Sequence, residues 1–277
     1  MRQITIIGVG FIGGCLASSI KKLKICERLV GIELSSENRN YILEKGLVDE
    51  VVEEVPEDAD LIVIALPNDQ VAEWVCKLRN HKALVLDVAS VKGEILNRVE
   101  SELGELPNNY VPCHPIAGSE KIGPRTSHPS LFENRPVVII PHQNQRSGSQ
   151  EFVIEFWSEL SAKCVELSAL EHDAILAKTS HLPHILAYSF MSMLNKKDVG
   201  LAGGGLEDFT RIAGANPDMW WAIFSLNEPE LSKAMDEFQH AFFEYPPFAD
   251  CLKQLNISEK PFCDRFMSCP CLIYGVL

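Results

Sequence analysis

Three glycines, in the run Gly8-Val9-Gly10-Phe11-Ile12-Gly13, constrain this chain more than any other feature. They follow a short apolar run, Ile4 to Ile7, and open an amphipathic stretch from Phe11 to Lys22. The order strand, glycine turn, helix gives the spacing its meaning. Gly8 allows a tight turn, Gly10 lets the backbone approach a diphosphate, and Gly13 lets the helix lie close on the strand. The helix N-terminus adds free N–H groups and the positive end of its dipole. Gly8, Gly10, Phe11, Ile12 and Gly13 therefore read as the pyrophosphate cradle of a dinucleotide. A second apolar run, Leu29 to Ile32, ends at Glu33. A carboxylate about twenty residues past the glycines accepts from ribose hydroxyls and repels a 2′-phosphate. NAD is expected in preference to NADP, with Arg39 a turn into the next helix.

Short apolar runs continue to alternate with amphipathic segments, the signature of an α/β sheet with parallel strands. Leu61 to Leu66 and Ala83 to Val88 are continuously apolar, as strands buried on both faces are. A helix is predicted over Ser36 to Lys45, capped by Ser35 or Ser36. Val137 to Ile140 predicts another strand, Gln143 to Gln150 a loop, Gln150 to Leu160 a helix and Lys163 to Leu167 a closing strand. From Ser168 the period changes: Glu171 to Leu194 and Asp218 to Phe243 carry apolar residues at helical spacing. The expected fold class is α/β: an N-terminal Rossmann-type doubly wound parallel sheet (residues 1–168, NAD-binding) with a C-terminal all-helical domain (residues 169–277, substrate binding and dimerisation). The tail after about residue 245 is atypical: Tyr245-Pro246-Pro247 breaks the helix, and a cysteine-rich apolar stretch follows.

Composition excludes several classes. The 277 residues carry 25 basic and 38 acidic side chains, a net charge of -13, with no basic block, which argues against nucleic acid. No apolar stretch reaches the length of a membrane span, and Ile4 to Ile7 sits too close to Met1, with no basic leader, to be a signal peptide. Nine irregularly spaced cysteines suit free thiols in a reducing cytoplasm. Cys263, Cys269 and Cys271 match no zinc spacing, and no metal is expected.

A second constellation lies further along. Asp87-Val88-Ala89-Ser90-Val91-Lys92 sits at the carboxyl end of a predicted buried strand, where open α/β sheets bind ligands. The next strand-like segment, Tyr110 to Cys113, runs into His114-Pro115-Ile116-Ala117-Gly118-Ser119-Glu120. A histidine at such a strand end can accept a hydroxyl proton as hydride leaves the same carbon, and its pKa near neutrality suits that task. A turn histidine bonded to the backbone is the plainer alternative.

These two motifs resemble the prephenate/arogenate dehydrogenase family of tyrosine biosynthesis. So do Glu171-His172-Asp173 leading to Ser180-His181-Leu182-Pro183-His184, and Gly203-Gly204-Gly205-Leu206-Glu207-Asp208-Phe209-Thr210-Arg211 continuing to Pro217-Asp218-Met219-Trp220. The likeness runs in order from about residue 2 to residue 243. It implies an NAD-dependent oxidative decarboxylation of prephenate to 4-hydroxyphenylpyruvate, or the corresponding reaction of arogenate, in a cytoplasmic homodimer paired through the helical domain. It also implies His114 as catalytic acceptor for the ring hydroxyl, Ser90 as support for that hydroxyl and the nicotinamide, and Glu120 and His184 as pocket residues. Arg211 is implied as the partner of a substrate carboxylate.

His181 and His184, three residues apart on one predicted helical face, could hold a metal but lack a third ligand at suitable spacing. His172 and His181 could equally be structural, and Trp220 and Trp221 core or interface aromatics. Gly203 to Gly205 precede no strand-to-helix turn and are expected to serve close backbone approach. Two other readings remain open. A β-hydroxyacid or imine reductase would use a helical-domain lysine, for which Lys178 is the candidate, and leaves Asp208-Phe209-Thr210-Arg211 unexplained. An NAD-binding sensor would lack catalytic residues.

Overall fold

Buried apolar runs set the sheet. In the computed structural model, which describes residues 1–118 and 121–244, eight strands form one sheet: β1 (Gln3–Ile7), β2 (Arg28–Ile32), β3 (Glu50–Val51), β4 (Leu61–Ile64), β5 (Leu84–Asp87), β6 (Tyr110–Pro115), β7 (Pro136–Ile139) and β8 (Lys163–Glu166). Their order is β3-β2-β1-β4-β5-β6-β7-β8. Helices α1 (Phe11–Leu23), α2 (Ser36–Glu44), α3 (Asn68–Lys77), α4 (Gly93–Leu103) and α5 (Ser149–Glu159) cover its two faces. Ile4, Ile6, Val63 and Leu86 pack with Leu16 and Ile20 of α1 and Trp157 of α5 on one face. Ile7, Ile62, Ile64 and Val85 pack with Val71 and Val75 of α3 and Val99 of α4 on the other. Because β1 and β4 are neighbours while β2 lies on the far side of β1, the winding reverses at the carboxyl ends of β1 and β4, where such sheets open a ligand crevice.

The sheet departs from the all-parallel expectation at one junction. β1 to β6 pair in parallel, but β7 meets β6 antiparallel, with Cys113 opposite Ile139 and His114 opposite Val138, and β8 follows β7 in parallel. A parallel return needs a crossover element, and the described residues between β6 and β7 supply only a single turn, Pro124–Thr126. The predicted cap of α2 is Ser35, whose hydroxyl accepts from the Asn38 N–H at 3.3 Å.

The chain divides into two compact units, Met1–His172 and a second beginning at Asp173. The second is helical throughout its described residues. α6 (Ala169–Leu176) enters it, a wide turn over Ala177–His181 continues into α7 (Leu182–Ser192), and α8 (Lys196–Val199), α9 (Gly204–Ala213), α10 (Pro217–Leu226) and α11 (Glu228–Glu244) follow. The stretch Asp218 to Phe243, apolar at helical spacing, forms two helices divided at Asn227. Its side-chain amide donates to the Asp173 carbonyl at 2.9 Å and meets Nδ1 of His181 at 3.0 Å. Gly204 and Gly205 open α9 with nothing within 4 Å of where a Cβ would sit, so no close approach of protein backbone explains them. The atypical tail, with Cys263, Cys269 and Cys271, lies outside the described residues.

Candidate active site

The glycine turn is built as its spacing requires. Gly8 takes φ +87°, and a Cβ there would stand 2.6 Å from the Ala65 carbonyl oxygen. A Cβ on Gly13 would stand 2.1 Å from the Gly8 carbonyl, whereas one on Gly10 would meet nothing within 4 Å. The first glycine thus lets the turn pass close to the segment after β4, the third lets α1 pack on β1, and the second borders open space. Gly10 is the N-cap of α1 and no side chain caps it, so the N–H groups in the turn of Phe11 and Ile12 are left for an anionic ligand. Glu33, just past β2, turns its carboxylate to this loop: Oε2 accepts from the Val9 N–H at 3.2 Å and Oε1 from the Ser35 N–H at 2.9 Å. Arg39 donates through Nε to the Glu33 carbonyl. The cradle fits a dinucleotide whose ribose hydroxyls meet a carboxylate.

Ser90 stands in the turn after β5. Its N–H donates to Oδ1 of Asn68, the first residue of α3, at 2.7 Å. Beneath it is a charged cluster that sequence reading did not single out. Asp87 accepts from Lys92 Nζ and from the Ala89 N–H (2.8 Å) through Oδ1, and from the Tyr110 hydroxyl (2.6 Å) through Oδ2. Asp87, Lys92 and Tyr110 are all fully buried. Burial beside the Asp87 carboxylate pushes the Tyr110 phenol well above its ordinary value, so it remains a donor across the working pH range.

His114 lies in β6, 9% exposed, and its Nδ1 stands 2.8 Å from Nε2 of buried His172, the rings meeting edge to face. His172 is thus the partner of the predicted base, a role that a separation of 58 residues conceals. Glu120 lies outside the described residues.

The helical unit carries the remaining predicted residues. His184 donates from Nδ1 to the Ser180 carbonyl at 2.8 Å and stacks on Trp220 with ring centroids 3.5 Å apart. Burial, opposed by the Ser180 bond and aided by the positive charge of Arg211, lowers its pKa. A neutral ring donating from Nδ1 keeps Nε2 as an acceptor. Arg211, near the C-terminal end of α9, is exposed. His181 is buried on Asn227 and the edge of Trp220, as a structural histidine would be. Trp220 is buried and Trp221 is half exposed. No group of three or more metal-ligating side chains occurs among the described residues.

The likeness to known proteins covers both units. Residues 16–166 match the family model for the prephenate dehydrogenase nucleotide-binding domain, and residues 168–244 match that for the prephenate dehydrogenase dimerization domain. The prephenate dehydrogenase of Bacillus subtilis is 31% identical over 250 residues, covering 85% of this chain and 67% of the relative. The cyclohexadienyl dehydrogenase of Zymomonas mobilis is 29% identical over 251 residues, covering 86% and 85%. A solved structure of prephenate dehydrogenase from Aquifex aeolicus, in complex with hydroxyphenyl propionate and NAD+, superposes with a TM-score of 0.82 at 29% identity, covering 93% of this chain and 96% of that one. A glycine cradle facing a carboxylate, a histidine on β6 held by His172 of α6, and a helical unit with its own family match make one consistent set. The chain belongs to the prephenate dehydrogenase family.

Proposed function

We propose that this chain oxidises prephenate with NAD, releasing carbon dioxide and forming 4-hydroxyphenylpyruvate for tyrosine biosynthesis. NAD on the glycine cradle supplies the hydride acceptor. The observation that carries the residue assignment is the 2.8 Å contact between His114 and His172. The contact at Nδ1 fixes the His114 ring, and we assign its Nε2 as the atom that receives a hydrogen bond from the substrate's ring hydroxyl. As hydride leaves the hydroxyl-bearing carbon, His114 draws the hydroxyl proton. The ring carboxylate then departs as carbon dioxide, its bonding pair aromatises the ring, and the proton returns to the phenol oxygen. Ser90 supports the same hydroxyl and the nicotinamide. Aromatisation drives the loss of carbon dioxide, so the residues need only bind, orient and hold one proton.

By the family resemblance, Arg211 takes a substrate carboxylate and His184 and Glu120 are pocket residues. A guanidinium is a planar, permanently charged partner for a carboxylate, and an acidic protein with net charge -13 needs such local basicity to hold an anionic substrate. The helical unit is proposed to pair two copies into a homodimer. The described cysteines, Cys15, Cys26, Cys76, Cys113 and Cys164, are all free thiols, which suits a cytoplasmic setting, and among the described residues no helix is long and apolar enough to cross a membrane.

The test is NADH formation from prephenate and from arogenate, each with NAD and with NADP. Turnover of prephenate with NAD is expected, and no turnover with either substrate refutes the reading. His114→Asn should keep NAD and substrate affinity while kcat falls by about 10²–10⁴.

A further inference from the structure

We infer that Asp87, Lys92 and Tyr110 form a positioning clamp for the reaction, a buried charged cluster that fixes the turn carrying Ser90 against the strand carrying His114. Asp87 ends β5 and pairs in register with Pro112 of β6. Its Oδ1 reaches forward to the Ala89 N–H and to Lys92 Nζ, tying down both sides of Ser90. Its Oδ2 takes the hydroxyl of Tyr110, which lies on β6 four residues before His114. From the other side Asn68 holds the Ser90 N–H.

Stability alone is a poor reason for this cluster. A buried ion pair rarely improves on apolar side chains of the same volume. Lys92 is moreover the N-cap residue of α4, at the end of a helix where a cation is disfavoured. Val88, Ala89 and Val91 are buried around this turn, and the cluster adds directional bonds on both sides of Ser90, the one member that packing does not enclose. Asp87, Lys92 and Tyr110 touch no reacting atom, and they act through Ser90.

The inference rests on the assignment of Ser90 above, and a double-mutant cycle separates the two. Tyr110→Phe keeps the buried ring and removes one bond to Asp87. It should lower kcat about tenfold in the otherwise native enzyme but by about twofold or less when Ser90 is already alanine, since residues acting as a unit are not additive. Hydrogen exchange of the 88–92 amides should accelerate in Tyr110→Phe while the rest of the unit keeps its protection. Equal losses in both backgrounds, a native kcat in Tyr110→Phe, or unchanged exchange overturns the clamp and leaves Ser90 standing. A native kcat in Ser90→Ala removes the assignment of Ser90 and the clamp with it. Should Tyr110→Phe not fold, Asp87→Asn with Lys92→Met removes both charges at near-constant volume, and the same cycle and exchange measurements decide.

Discussion

His172→Leu tests the proposed base through the residue that meets its Nδ1. The 2.8 Å contact between the two rings holds one proton. If His114 accepts at Nε2, that proton must sit on its Nδ1 and His172 must accept at Nε2. When His114 carries the hydroxyl proton the contact becomes charge-assisted. A neutral bond is worth about 0.5–1.5 kcal/mol and one to a charged group about 1.5–3 kcal/mol. The gain of about 1–1.5 kcal/mol appears as the proton moves, and corresponds to about tenfold in rate. Leucine keeps the site apolar and removes the acceptor, so kcat should fall at least about tenfold with NAD affinity unchanged. Loss of the acceptor also disfavours the imidazolium, so the acidic limb of kcat/KM should move to lower pH by about one unit. His172→Gln can present a carbonyl oxygen near the lost nitrogen and should recover part of the rate. A kcat within twofold of native, or a glutamine variant no better than leucine, refutes the tautomer assignment.

Gly13→Ala would place a methyl group 2.1 Å from the Gly8 carbonyl oxygen. α1 must then lift from β1, and calorimetry should show NAD binding weakened by about 100-fold or more; a change under threefold refutes the packing argument. Arg211→Ala removes a charged contact made equally before and in the transition state, so KM for prephenate should rise about 10–100-fold with kcat little changed, and an unaltered KM moves the carboxylate site elsewhere. Burial holds the pKa values of His142 and His184 below the ordinary 6.5. The unfolded chain therefore binds protons that the folded one refuses, and stability present above that value is lost as pH falls through the lowered pKa values. Thermal midpoints should decline below about pH 6.5, less steeply in His184→Gln; identical slopes exclude His184 as a contributor.

What could be read from the sequence was whatever a few consecutive residues decide. The cradle depends on spacing within six residues, and each glycine does its part through atoms that the local turn brings together. Buried strands announce themselves as apolar runs, and the cap of α2 as a serine three residues before an acceptable donor. Direction and partnership were not legible. Nothing in Pro136–Ile139 distinguishes a strand that runs with its neighbour from one that runs against it. The missing crossover helix decides that, and an absence is hard to read among proline, glycine and serine. Pro229, in the first turn of α11, marks the break after Asn227 locally, whereas the bonds of Asn227 to the Asp173 carbonyl and the His181 ring join residues far apart in the chain.

The chemistry divides in the same way. His114 and Ser90 could be picked out because each ends or follows a strand at the crevice. Their supports, His172 for one and Tyr110 for the other, are 58 residues from His114 and 23 from Asp87. Sheet register brings Tyr110 to Asp87, and the fold of the first unit brings His172 to His114, which no local pattern encodes. A motif names the atoms that meet a ligand, whereas the groups that set their proton positions and heights are recruited by the fold. The two variants that discriminate most here, His172→Leu and Tyr110→Phe, therefore fall on residues to which the sequence alone assigned no partner.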